Sequence, residues 1–343
     1  MLSYKFRGIQ LVALACSSLV AVVAACGDTP ARQCRVGADC ASGLCASDGT
    51  CATAAVSDGG TDGGGPTDDA MVSADSSGSE TSTDAAISGC SPNNDGTITR
   101  EEVPIAAGLH ATYKIGSNAD LPTGYVTGVV GAGGKRTWDF SGPVNNDVSV
   151  LVETQSLKGK WYETAYPNAT YATKLSESSD LLGVFETSPG ALLLRGIVSP
   201  SAPTSTTGTH LTYAPGVDVL DFPLKLSAAW STDAIASGVY TAPGTSTQLD
   251  LGTAFTKTEE KYDSKVDAEG TLKTPLGTFD VLRVQVLLTR TVGTPGVTLT
   301  KVTKVRSFAF VTECYGTIST ITSSDDESSV EFTHAVEIRR ISP

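Results

Sequence analysis

The chain has 343 residues, with 37 acidic against 24 basic side chains and a formal net charge of −13. No basic stripe is present, which excludes the electrostatic footprint that nucleic acid requires. Eight cysteines and three histidines are the chain's resources for disulfide, metal and general-base chemistry.

Residues 1–25 read as an export signal. Lys5 and Arg7 form a basic head, and Ile9 to Ala25 form an uncharged, mostly apolar run. That is a secretory layout, at the short edge of the about 20 apolar residues a permanent span needs. The run ends in Val23-Ala24-Ala25-Cys26, which resembles the bacterial lipobox. The resemblance implies that Cys26 takes diacylglycerol and becomes the new N-terminus. Two or more acyl chains hold a protein on a bilayer where one does so only marginally. By that family's sorting habit, Gly27 points to the outer membrane. Cleavage near the Ala pair without lipid, or an uncleaved anchor, are the other readings. Loss of residues 1–25 leaves 22 basic and 37 acidic side chains, a net of −15.

After an anchor segment (26–33) comes CRVGADCASGLCASDGTC, residues 34–51, with Cys34, Cys40, Cys45 and Cys51. An exported protein can oxidise them, and four cysteines allow three connectivities. The stretch is far too small for a core and needs covalent staples. A zinc site would want a C-x2-C pair or a nearby His, and neither is present. Its spacing resembles the Dickkopf-type cysteine-rich knot found near the start of many myxobacterial surface proteins. Residues 52–89 then carry seven acidic and no basic or aromatic side chains among many Gly, Ser and Thr. Such a segment buries too little apolar area to offset its chain entropy. It reads as a disordered tether with a span on the order of 30 Å.

Residues 90–343 read as one β-rich domain. Strand-like runs appear at HATYKI (110–115), RTWDF (136–140), VSVLVE (148–153), ALLLRGIV (191–198), HLTYAP (210–215) and GTFDVLRV (277–284). TKLSESSDLLGVF (173–185) has room for one helix or a turn of one. Leu282, Val284, Val286 and Leu288 alternate with Arg283, Gln285 and Thr289, putting one face on a core. VGTPG (292–296) supplies a turn before a further run to Val311. TISTIT (317–322), the tip SSDDESS (323–329) and VEFTHAVEIRR (330–340) read as a closing hairpin. The expected class is mainly antiparallel β: a sandwich, curved sheet or open barrel. Cys90 and Cys314 are left to close the domain with a disulfide across a very long loop, which stabilises by about 4–5 kcal/mol on the chain-entropy account.

The order of features is similar to a family of uncharacterised myxobacterial lipoproteins. The residues that carry the likeness are Cys90-x-Pro-Asn, Asp95-Gly96, Glu102-Val103-Pro104, Thr137-Trp138-Asp139, Leu181-Leu182-Gly183-Val184-Phe185 and Glu313-Cys314-Tyr315-Gly316. The resemblance implies a shared fold and export, and no activity. LKTPLGTFDVLRV (272–284) resembles a phrase of curved-sheet periplasmic proteins that carry lipids or other apolar molecules.

Chemistry is sparsely signalled. His110, His210 and His334 each sit in an apparent strand, and no nucleophile elbow or H-E-x-x-H pair occurs. GVVGAGGKR (128–136) lacks the Walker spacing and reads as a loop between strands. Glu259-Glu260 and Asp325-Asp326 read as solvated charges, and Asn168-Ala169-Thr170 as a turn. SPNNDGTITREE (91–102) is the one candidate metal loop. With Gly96 at the sixth position of an EF-hand, Asn93, Asp95, the Thr97 carbonyl and Glu102 fall on calcium-ligand positions. Ser91 replaces the usual first Asp, and helices on either side are missing. Two readings stand: a weak calcium site, or a structural loop pinned by Cys90–Cys314, with Thr99 and Glu102 capping a turn.

Together these features point to a membrane-tethered, non-enzymatic binding or interaction module outside the cytoplasm. Its partners would be the membrane through Cys26 and a protein or apolar ligand. A carrier of lipid or apolar ligand in a curved sheet is the leading rival, and an extracellular enzyme the third.

Overall fold

The computed structural model describes residues 90–204, 207–241, 248–251, 257–293 and 301–343. Cys26, the 34–51 cysteines, the 52–89 tether and most of the 292–296 turn lie outside them. The described chain forms seventeen strands: β1 (Thr97–Ile98), β2 (His110–Asp120), β3 (Val129–Val130), β4 (Arg136–Asp139), β5 (Asp147–Gln155), β6 (Tyr171–Ser176), β7 (Ser179–Thr187), β8 (Ala191–Val198), β9 (His210–Asp221), β10 (Leu224–Lys225), β11 (Ala229–Thr241), β12 (Gln248–Leu251), β13 (Lys257–Lys273), β14 (Thr278–Gly293), β15 (Lys301–Thr312), β16 (Gly316–Ser323) and β17 (His334–Ile341). The mainly antiparallel β class expected from the sequence is what the chain adopts.

Twelve of these strands close a ring, in the order β2, β5, β6, β7, β8, β9, β11, β13, β14, β15, β16, β17 and back to β2. Every neighbour in the ring is antiparallel. Closure comes from β11, whose Ala229–Ala236 half pairs with β13 while its far end pairs with β12. Closing the sheet satisfies the edge strands that an open sheet leaves exposed.

The ring has two packed faces along β13–β17, which is why the sequence there does not alternate cleanly. On the inner face lie Leu282, Val284, Val286 and Leu288, in register with Val311, Ala309, Ser307 and Val305. The outer face is covered by the chain between β2 and β5. Trp138 and Phe140 pack edge-on against Phe310, with ring centroids 5.1 and 5.2 Å away. Burying each such aromatic stabilises by about 2–3 kcal/mol. Arg283 lies among them over the Phe308 ring at 4.7 Å, and holds Asp267 through two 2.9 Å bonds. Gly270 makes this cover possible: β4 runs parallel beside β13, and a Cβ at 270 would stand 1.8 Å from the Arg136 carbonyl oxygen.

The stretch 173–185 corrects a sequence expectation: it is the β6–β7 hairpin, with no helix. β5 and β6 share only two register pairs. Beyond them the hairpin leaves β5 and reaches β17, where Glu337 accepts the Ser176 hydroxyl (2.7 Å) and the Glu177 N–H (3.0 Å). Arg339 donates to the Leu175 carbonyl at 2.6 Å and to Glu337 at 2.6 Å. Register places Glu337 on the same face as Thr322 and Ser307, toward the lumen. The hairpin is thus clasped across the inside of the ring.

Candidate functional site

Where the inner faces of β8, β9, β13, β14, β15 and β16 meet, they leave a cavity of about 160 Å³. Its wall is mostly apolar: Leu175 and Phe185 come from the clasped hairpin, Leu194 and Ile197 from β8, Val217 from β9, and Val286, Leu288 and Val305 from β14 and β15. The two-residue strand period explains the layering. Glu260, Tyr262, Ser264 and Val266 all point inward from β13, opposite Arg290, Leu288, Val286 and Val284 of β14.

Two polar features adjoin this wall, an ion cluster behind Tyr262 and a band of hydroxyls within the wall itself. The first is an ion cluster: the Arg290 Nε donates to Glu260 at 2.7 Å and the Tyr262 hydroxyl donates to the same carboxylate at 2.5 Å. Glu260 and Arg290 are 3% and 4% exposed, so each charge is held in the interior by the other. Burial, and then the Glu260 charge, push the Tyr262 and Tyr213 hydroxyls well above the usual phenol range. Both tyrosines line the cavity as neutral hydroxyls. The second group is a band of hydroxyls in one layer, Ser264, Ser307 and Thr322. Asp218 is the one carboxylate in the wall, and its side chain accepts the Thr232 hydroxyl at 3.1 Å. None of the described lining residues is Lys, Arg or His.

Glu260 corrects a sequence reading. Glu259 is exposed as expected, while Glu260, its chain neighbour, is buried in the lumen. The histidines open β2, β9 and β17 and do not converge. His334 faces Asp120 at 3.1 Å on the surface. His210 is wedged edge-on between Trp161 (5.2 Å) and Tyr166 (5.8 Å), and burial holds its imidazole below the usual range.

The structure brings the loop residues together at the base of the domain. Cys90 and Cys314 form a disulfide. The Glu313 carboxylate accepts the Asn93 and Asn94 N–H groups (2.5 and 3.1 Å), and Cys314 N–H donates to the Glu102 carbonyl at 2.7 Å. Within the loop, the Asn93 side-chain amide donates its N–H to Glu102 (2.7 Å), and its oxygen accepts the Asp95 N–H (2.9 Å). Asp95 accepts the Thr97 N–H at 2.8 Å. Glu102 also accepts the Thr99 N–H and hydroxyl at 2.8 and 2.9 Å, capping a single 3-10 turn at Arg100–Glu102. Ile98 makes its β-bridge to Leu224 of β10, within the same domain. Among the described residues, no three His, Cys, Asp or Glu side chains gather as a metal cluster.

No protein-family model, curated protein or solved structure matches this chain.

Proposed function

We propose that this chain is an exported binding module, tethered to a membrane through Cys26, whose barrel holds a small apolar ligand in its lumen. The supporting observation is the cavity of about 160 Å³ walled mainly by Leu, Ile, Val and Phe. An apolar cavity of about 150 Å³ is large enough to bind benzene and stays dry without it. Of the readings open from the sequence, the cavity favours the carrier of an apolar ligand over a purely surface interaction. Its size limits the ligand to a ring or a short hydrocarbon branch, well below a pair of acyl chains. The Cys26 anchor and the tether expected from the sequence suit such a role, because they would leave the barrel accessible to small solutes.

The test is methyl-resolved NMR of the full chain titrated with benzene. Shifts confined to Leu288, Val286, Val305 and their neighbours are expected, and Val286→Phe, which fills the space, should abolish them. A titration that moves no lumen methyl, or that proceeds equally well in Val286→Phe, sinks the reading.

A further inference from the structure

We infer that the lumen ligand is an uncharged molecule with an apolar body and one hydrogen-bonding group, which docks on the Ser264–Ser307–Thr322 band. This deepens the reading above and rests on it. Ser264 and Thr322 are 4% and 5% exposed. Both line the cavity with Ser307, and the three lie on one register line across β13–β16: Ser307 and Thr322 face each other on adjacent strands, and Val286 of β14 stands between Ser264 and Ser307. The charged side chains near the cavity are engaged by other protein groups: Glu260 by Arg290, Glu337 by Arg339 and Ser176, and Asp218 by Thr232. The hydroxyls of Ser264, Ser307 and Thr322 make no such bond within the described structure. A hydroxyl taken out of water costs free energy until it is paired, and a few polar groups placed in an apolar wall are how a pocket fixes a ligand's orientation.

The charge of the ligand follows from the same wall. A carboxylate entering the cavity would meet Asp218 and no lining cation, and a buried unpaired charge is strongly disfavoured. A neutral hydroxyl both donates and accepts, as do the three side chains opposite it. The ligand class is therefore a phenol, a short alcohol or a molecule with such a terminus, and a fatty acid anion is excluded.

The probes are benzene, phenol and benzoate, titrated into the full chain and into Ser264→Ala, Thr322→Val and the double variant. Benzene binding and circular dichroism in each variant report that the lumen remains folded and open. In the wild type, benzene and phenol are expected to bind and benzoate to leave the lumen methyls unmoved. Phenol affinity should fall about five- to tenfold in the double variant, as for loss of a hydrogen bond, while benzene affinity holds or rises. Equal losses for phenol and benzene, no loss for either, or benzoate binding as well as phenol overturns the inference and leaves apolar binding intact. Failure of both benzene and phenol overturns the apolar-lumen reading itself, and this inference with it.

Discussion

Ser176 donates its hydroxyl to Glu337 over 2.7 Å, although 161 positions separate the two in the chain. With the Arg339–Glu337 pair at 2.6 Å, this bond ties the β6–β7 hairpin to β17 and carries Leu175 and Phe185 to the cavity wall. Glu337 is 6% exposed. Removing it by Glu337→Ala leaves the Arg339 guanidinium in the interior without its carboxylate, with only the Leu175 carbonyl to bond, a change that costs about 3–5 kcal/mol. Denaturant unfolding should show this loss. Native-state hydrogen exchange at Glu177 should accelerate more than exchange in β13 or β14. Uniform acceleration across the barrel would mean that the contact holds the whole fold and not the hairpin.

The Glu260–Arg290 pair invites a different experiment. Either single replacement, Glu260→Leu or Arg290→Met, strands one charge in the lumen and should destabilise by about 3–5 kcal/mol. The double replacement removes both charges and restores packing, so it should recover most of that loss. Chemical denaturation of the four proteins closes the cycle. Additive losses in the double variant would show that the two residues act through separate contacts.

His210 makes stability depend on pH in a stated direction. Burial between Trp161 and Tyr166 holds its folded-state pKa below the ordinary value of 6.5. The unfolded chain therefore takes up the proton first as pH falls. The contribution is fully present above about pH 6.5 and is lost as pH drops from there through the folded-state value. His210→Gln should flatten the fall of the denaturation midpoint between pH 7 and pH 5 relative to the wild type. Parallel curves for the two proteins would assign the acid sensitivity to other groups.

These three sites differ in how far the sequence discloses them. The strand runs at His110 and His210 are legible because apolar residues alternate there with polar ones, the signature of a half-buried strand. β13 hides the same arrangement. Its inward series is Glu260, Tyr262, Ser264, Val266, so no apolar alternation marks the face that builds the cavity. The 173–185 hairpin hides for a related reason: Ser176, Glu177, Ser178 and Ser179 look like a solvated turn, yet Ser176 and Glu177 are fixed by Glu337 on a strand far along the chain. Arg283 looks like an outward, solvated position of an amphipathic strand, and it is buried because β14 is covered on its outer face, while Arg290 sits on the inward face with Glu260. The Cys90–Cys314 bridge, by contrast, follows from cysteine arithmetic and stands in the structure.

The 91–102 loop is already closed by its own hydrogen bonds, and that decides what a cation should do to it. An EF-hand ligand presents an oxygen to the ion. Here Asn93 turns its amide N–H toward Glu102, and both Glu102 oxygens accept bonds from Asn93 and Thr99. Glu313 replaces a second loop as the brace, through the Asn93 and Asn94 N–H groups. Calcium binding would require breaking the Asn93–Glu102 bond and the Thr99 cap, so millimolar calcium should leave the melting temperature unchanged. Glu102→Gln should cost about 1 kcal/mol through the weakened cap, equally with and without calcium. A calcium-dependent rise in melting temperature that disappears in Glu102→Gln would instead make Asn93, Asp95, Thr97 and Glu102 a cation site.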